Sequence, residues 1–249
     1  MIDLTIATYN IHKGFSRFNR RMVLHELRER LCDLNADIVF LQEVLGEHSL
    51  HPERFENYPA QPQYEFLADA VWPHHAYGKN AVYDAGHHGN AILSRFPISN
   101  WDNLDISAHR FESRGMLHCE IDMPQHDVPL HCICVHLGLF KRGRGLQMSA
   151  LVERIRAEVP DEAPLIIAGD FNDWRNHASR LLAQELGLQE VFESCKGKLA
   201  RSFPSGLPVL QLDRIYVRGL QVRHGEVHAR YPWNKISDHA ALSAKVHLP

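Results

Sequence analysis

The amino-acid sequence predicts a four-layer α/β sandwich, two packed sheets with helices outside them. Short apolar β-favouring runs dominate the 249 residues, and stretches with helical periodicity are interspersed among them. No internal repeat, low-complexity tract or long linker divides the chain, so residues 1–249 read as a single domain. With 45% apolar and 23% charged residues, the composition suits a globular protein with a sizeable core.

Residues 4–9 alternate β-favouring side chains and end at Asn10, which is a strand delivering a polar group at its C-terminal end. Over residues 21–34 the period changes. Val23, Leu24, Leu27, Leu31 and Leu34 recur every three or four residues with Arg and Glu between them, the pattern of an amphipathic helix. Residues 38–41 form a short apolar run typical of a buried strand, and this strand hands off to Gln42 and Glu43. Further strands are expected over 91–93, 116–121, 128–135, 165–168, 210–217 and 240–246, and helices over 145–159 and 178–186. Residues 160–164 lie between a helix and a strand and are a connection, not a domain boundary.

A formal net charge of -3 advertises no basic field, which disfavours broad binding to nucleic acid. Five cysteines without CxxC spacing, three of them in apolar strand runs, read as reduced buried thiols; no second Cys/His pair completes a zinc site. Of the eighteen histidines, His25, His51, His109 and His224 sit in scattered polar positions where solvation explains them. The N terminus lacks a basic n-region and a long apolar h-region, and no apolar run approaches ~18 residues, so the expectation is a soluble cytoplasmic protein.

Ser237-Asp238-His239 sets a carboxylate beside an imidazole just before the last apolar segment. Attack of water or hydroxyl on a phosphate needs a metal-bound acid and a nearby base, which such a pair can supply, although a solvated turn explains it as well. Gly169-Asp170-Phe171-Asn172-Asp173 follows a buried strand; Asp170 could orient an attacking water and Asn172 donate to a phosphate oxygen, or both could cap a turn. Asp213 lies inside an apolar strand pattern and needs a partner, either His239 or the adjacent Arg214. His136 ends a strand, within reach of a phosphate oxygen or of a core partner. His87 and His88 are expected in an exposed loop. Glu43 is the plainest ligand for Mg²⁺, a hard ion that prefers carboxylate oxygen, and Asn10 could hold the metal's surroundings or the phosphate.

Taken together, Thr8-Tyr9-Asn10, Leu41-Gln42-Glu43-Val44, Gly89-Asn90-Ala91-Ile92-Leu93-Ser94-Arg95, His136, Gly169-Asp170-Phe171-Asn172, Leu212-Asp213-Arg214-Ile215 and Ser237-Asp238-His239 resemble the endonuclease/exonuclease/phosphatase superfamily in order, across almost the whole chain. The resemblance implies a DNase-like fold of two mainly antiparallel sheets flanked by helices, and divalent-metal hydrolysis of phosphoesters. It implies metal-site positions at Asn10 and Glu43, a phosphate contact at His136, and a water- and phosphate-orienting pair at Asp170 and Asn172. By the same resemblance Asp213 supports the catalytic His239, and Asp238 is the metal-side acid. Asn90 carries over with its block as a substrate-side position. Asn10-Ile11-His12-Lys13-Gly14 is similar to an uncharacterised bacterial subgroup and sets His12 and Lys13 near the substrate; Arg114 resembles a residue entering the site, where it could reach phosphate.

The expected enzyme therefore uses Mg²⁺ or Mn²⁺ on a phosphoester substrate: a small phosphodiester, a nucleotide or a phospholipid headgroup. A nuclease acting on DNA or RNA is the alternative, and a non-catalytic binding module on the same fold is the alternative of another class. Tyr231-Pro232-Trp233 could rest on a base, a sugar or a membrane interface, giving peripheral membrane contact, or could be packing. No protein partner follows from the sequence.

Overall fold

Period-two patterning in β1 (Ile2–Asn10) sends Leu4, Ile6, Thr8 and Asn10 to one face and Ala7 and Tyr9 to the other. A computed structural model, which describes residues 2–19, 21–69 and 71–249, buries both faces. The first packs on a second sheet, and the second lies under α1 (Leu24–Leu34). The chain continues through β2 (Ile38–His48), α2 (His51–Arg54), α3 (Gln63–Ala68), β3 (His74–Tyr83), β4 (Gly86–Ser94), β5 (Ile98–Asp105), β6 (Gly115–Ile121) and β7 (Leu130–His136). Then come α4 (Lys141–Glu158), β8 (Leu165–Asp170), α5 (His177–Leu186), β9 (Gln189–Glu190), α6 (Val191–Lys196), β10 (Asp213–Arg218), β11 (Gln221–His228) and β12 (Ala241–Leu248).

The strands form two six-stranded sheets, β11-β12-β1-β2-β4-β3 and β5-β6-β7-β8-β10-β9. Each is antiparallel except for one central parallel pair, β1 with β2 and β7 with β8. A parallel pair needs a crossover, and α1 and α4 supply the two. One core fills the space between the sheets, including Ile6, Phe40, Ile92, Cys132, Cys134, Ile166, Ile215 and Leu242. A second lies between the first sheet and α1 with α3, and a third between the second sheet and α4 with α5. The four-layer sandwich is thus as the sequence predicts.

The strands without a sequence signal are β3, β5, β9 and β11, and these are the four sheet edges. Edge strands are half-solvated, so their apolar alternation is weak; β5, for example, is exposed along most of its length. Helix α4 begins at Lys141, four residues before the expected start, because Gly143 and Gly145 hide its first turns from propensity. His87 and His88 are not in a loop. They lie within β4, paired with β3, and the Tyr77 hydroxyl lies 2.9 Å from His87 Nδ1. All five cysteines are free, with Cys119, Cys132 and Cys134 buried between the sheets. Among the described residues no helix is long and apolar enough to cross a membrane.

Candidate active site

The inter-sheet face of several strands changes from apolar to polar at its last position, and these positions meet at one end of the sandwich. Register sets Asp213 of β10 opposite Asp170 of β8, and Asp170 beside His136 of β7, so the three form one row across the second sheet. The apolar residues two and four positions along, such as Ile215, Ala168 and Cys134, are the dry core below that row. From the first sheet Asn10 faces them, paired in register with Gln42.

Simple alternation would send Glu43 with Val39 and Leu41 towards the helical layer. A bulge between Leu41 and Val44, with Glu43 at φ 55°, breaks that alternation and brings its carboxylate to the cleft, where Asn10 Nδ2 donates to Glu43 Oε1 at 3.3 Å. A left-handed backbone outside glycine costs about 1–2 kcal/mol and persists where surrounding structure enforces it.

Asp170 is the hub. Its Oδ1 accepts the Asn172 backbone N–H at 3.0 Å, and its Oδ2 lies 3.3 Å from Asn10 Nδ2, 3.5 Å from His136 Nε2 and 3.8 Å from His239 Nε2. His239 arrives from the connection before β12. Ser237 Oγ donates to the Asn10 carbonyl at 2.7 Å and accepts the His239 backbone N–H at 3.2 Å, tying that connection to the end of β1. The result places His239 Nδ1 2.8 Å from Asp213 Oδ2, while the Asp213 backbone N–H donates to Ser202 Oγ at 3.2 Å.

Electrostatics separates the roles. Burial alone would lower the His239 pKa, but Asp213 and Asp170 outweigh it and raise it to about 10, so the ring is an imidazolium at neutral pH. Burial pushes Asp170 above the ordinary carboxylate range, and His239 pulls it part of the way back. Burial, reinforced by Arg114, drives His136 down to about 3, so it stays neutral. For Glu43 burial acts upward, yet the Lys13 ammonium, His12 and the Asn10 amide hold its carboxyl below the ordinary carboxylate range. One acid is thus tuned towards proton exchange and another towards permanent charge.

The other residues singled out from the sequence take the following positions. Asn172, at φ 49°, donates from Nδ2 to the Leu137 carbonyl at 2.9 Å. The Asn90 amide donates to the Gly115 and Cys134 carbonyls of the other sheet at 2.9 and 3.3 Å, so it clamps the two sheets beneath the site. Asp238 lies 3.4 Å from His12 Nδ1. His12 and Lys13 form a tight turn with φ 46° and 58°, and the half-buried Arg114 acts on His136 through its charge. Arg214 is not the partner of Asp213: it points to the helical face and donates to the carbonyls of Gln211, Asp213 and Asp173. Sequence reasoning missed Ser237 as a tether, Ser202, and the buried Gln42, whose Nε2 donates to Thr8 Oγ1 and Cys134 Sγ, each at 3.2 Å. Ser237 and Gln42 lie inside the quoted blocks and so left a signal, whereas Ser202 left none.

The sequence pattern of the Endonuclease/Exonuclease/phosphatase family matches residues 7–239. The chain belongs to this family. It is 48% identical over 243 residues to the uncharacterized protein YbhP of Escherichia coli, covering 98% of this chain and 96% of that one. Among solved structures it is similar to an endonuclease/exonuclease/phosphatase from Bacteroides vulgatus, with TM-score 0.77, 17% identity and full coverage of both chains. It is also similar to the Bacteroides thetaiotaomicron mannosyl-6-phosphatase, with TM-score 0.74, 17% identity and 98% and 99% coverage. At such identities the structures share the fold, and family membership suggests a metal-dependent phosphoesterase or nuclease.

Family enzymes use divalent metals, and the donor chemistry here fits one. Among the described residues, one group of three potential ligands lies within 4.8 Å: Asp170, Asp213 and His239. His239 already supplies positive charge to that group as an imidazolium hydrogen-bonded to Asp213. The better home for a hard ion is on the other side of Asp170. There Glu43, whose carboxylate stays charged, accepts only from the Asn10 amide it shares with Asp170, which leaves its remaining lone pairs for a cation.

Proposed function

We propose that this protein is a divalent-metal-dependent phosphodiesterase acting on a small phosphodiester, a nucleotide or a phospholipid headgroup. The observation that carries the reading is the buried Asp213–His239 pair beside Asp170, a fixed positive charge next to a carboxyl group of raised pKa. A structural ion pair does not need a third, proton-poised acid directed at its free nitrogen. Glu43, with Asn10 and with Asp238 across His12, would hold Mg²⁺ or Mn²⁺, which supplies neutralisation of charge on the phosphoryl group.

The side chains of the chain do the rest. Asp170 orients a water and accepts its proton as the phosphorus is attacked. His239, kept protonated by Asp213, donates from Nε2 to the oxygen on which charge develops. His136, neutral and buried, donates to a non-bridging oxygen, and the second amide hydrogen of Asn172 is free to do the same.

Turnover of bis-p-nitrophenyl phosphate with Mg²⁺, Mn²⁺ or EDTA tests this reading. Asp170→Ala and His239→Ala are each expected to lower kcat by roughly 10² or more, and EDTA to abolish turnover. Wild-type rates in both variants, or full activity in EDTA, would sink the mechanism. Inactivity of the wild type on diesters, nucleotides and phospholipids alike would favour a binding module.

A further inference from the structure

The net charge of the chain conceals a polar distribution. Six segments surround the catalytic row: the connections 11–23, 106–114, 171–176, 197–212 and 229–238, and residues 137–144, which run from the end of β7 into the first turn of α4; together they hold fourteen Lys and Arg against three Asp and Glu, whereas the whole chain holds 27 against 30. The end of β2 and the connection after it, with Glu47, Glu53 and Glu56, are the acidic exception. The same six segments carry most of the large apolar side chains left in water among the described residues: Phe111 is 82% exposed, Phe140 76%, Leu207 75% and Tyr231 81%. Basic residues flank them in sequence, in Arg110-Phe111, Phe140-Lys141-Arg142 and Arg230-Tyr231.

These tips are built. Phe203 and Leu210 exchange backbone hydrogen bonds to close a hairpin-like loop with Leu207 at its turn. Ser205 fastens the base of that loop to the Ser237 and Asp238 carbonyls, next to His239. Three and four residues beyond His136, Leu139 and Phe140 sit on a turn whose Gly138 and Leu139 carbonyls accept from Arg144, and the Arg144 guanidinium also covers the Trp174 ring at 5.2 Å. Rigid apolar tips held in water beside cations, at the mouth of an active site, suit a partner that is apolar beneath an anionic surface.

We infer that this rim seats the protein on an anionic lipid bilayer, with Leu139, Phe140, Leu207 and Tyr231 entering the headgroup layer and Arg110, Lys141, Arg142 and Arg230 meeting lipid phosphates, so that the site faces a phosphoester at the membrane surface. Phe140 and Tyr231 offer rings on which bases stack, but Leu207, Val209 and Leu210 offer none, whereas the acyl boundary accepts all five, which favours a bilayer over single-stranded nucleic acid. The orientation of the substrate rests on the phosphoesterase reading, but binding to lipid does not, and the two are measured apart.

Sedimentation with sucrose-loaded vesicles tests the surface, comparing phosphatidylcholine alone with phosphatidylcholine containing phosphatidylglycerol, at low and high salt. Wild-type protein is expected to sediment with the anionic vesicles, and high salt to weaken this. Phe140→Ser combined with Leu207→Ser, and separately Lys141→Gln combined with Arg142→Gln, should each reduce partitioning roughly tenfold. Both should keep the wild-type melting temperature and soluble-diester turnover. The inference is overturned by wild-type protein that stays in the supernatant, by variants that sediment like wild type, or by a single-stranded oligonucleotide that binds in place of the vesicles and is lost in the same variants.

Discussion

His239 would titrate near neutrality as a free imidazole; here two carboxylates settle its state. The Asp213 carboxylate fixes one ring nitrogen, and Asp170 faces the other. Asp213→Asn removes the stronger of the two raising influences, so the His239 pKa should fall from about 10 towards its ordinary value. If turnover needs the imidazolium, kcat of the variant should decline as pH rises through about 7, where wild type remains flat. Superimposable pH profiles would remove His239 as the acid. Stability follows the same sign: the folded pKa lies above the unfolded one, so the contribution of this pair is complete below pH 6.5 and lost as pH climbs through about 10. Of this arrangement the sequence showed the residue types, and it left Asp213 a choice between His239 and Arg214. Strand alternation decided it, since consecutive residues point to opposite faces and only Asp213 faces the cleft.

At the scale of elements, two local departures from regular strand geometry make the site. The first is the β2 bulge at Glu43. Glycine tolerates φ 55° and a β-branched residue does not, so Glu43→Gly should melt above Glu43→Val by a difference of about 1–2 kcal/mol, while both lose metal-dependent activity. Equal melting would mean the backbone there is unstrained. The second is Gly169, at φ 147°, where a Cβ would stand 2.0 Å from the Val135 carbonyl oxygen. Gly169→Ala must part β7 from β8, and with them His136 from Asp170. Chemical denaturation should show a loss of ~2 kcal/mol or more, accompanied by a fall in kcat. A stable variant with normal turnover would show that the close approach is dispensable. The glycine was visible in the sequence as a turn residue, but the bulge was not, because Leu41-Gln42-Glu43-Val44 reads as a strand end.

Across the whole molecule, the large number of histidines acquires a physical meaning. Burial, the largest cause in each case, lowers His51, His88 and His118 to about 4 and His136 to about 3. Each is neutral when folded, whereas the unfolded chain takes up protons below its ordinary value of 6.5, so stability should drop as pH falls from 6.5 towards 4. The melting temperature measured across that window checks this, and a flat response would mean these rings are more solvated than they are here. Composition had suggested solvated histidines because it carries no burial; His51 in fact stacks on His48 with ring centroids 3.3 Å apart. By itself the sequence determined the layered α/β architecture, because core strands and crossover helices are written in local periodicity, and the ordered blocks by which the chain resembles its family. Tertiary structure alone decided the edge strands, the turning of Glu43 into the cleft, the protonated state of His239 and the basic, apolar rim. Each of these depends on which distant segments share an environment, and neither net charge nor periodicity contains that.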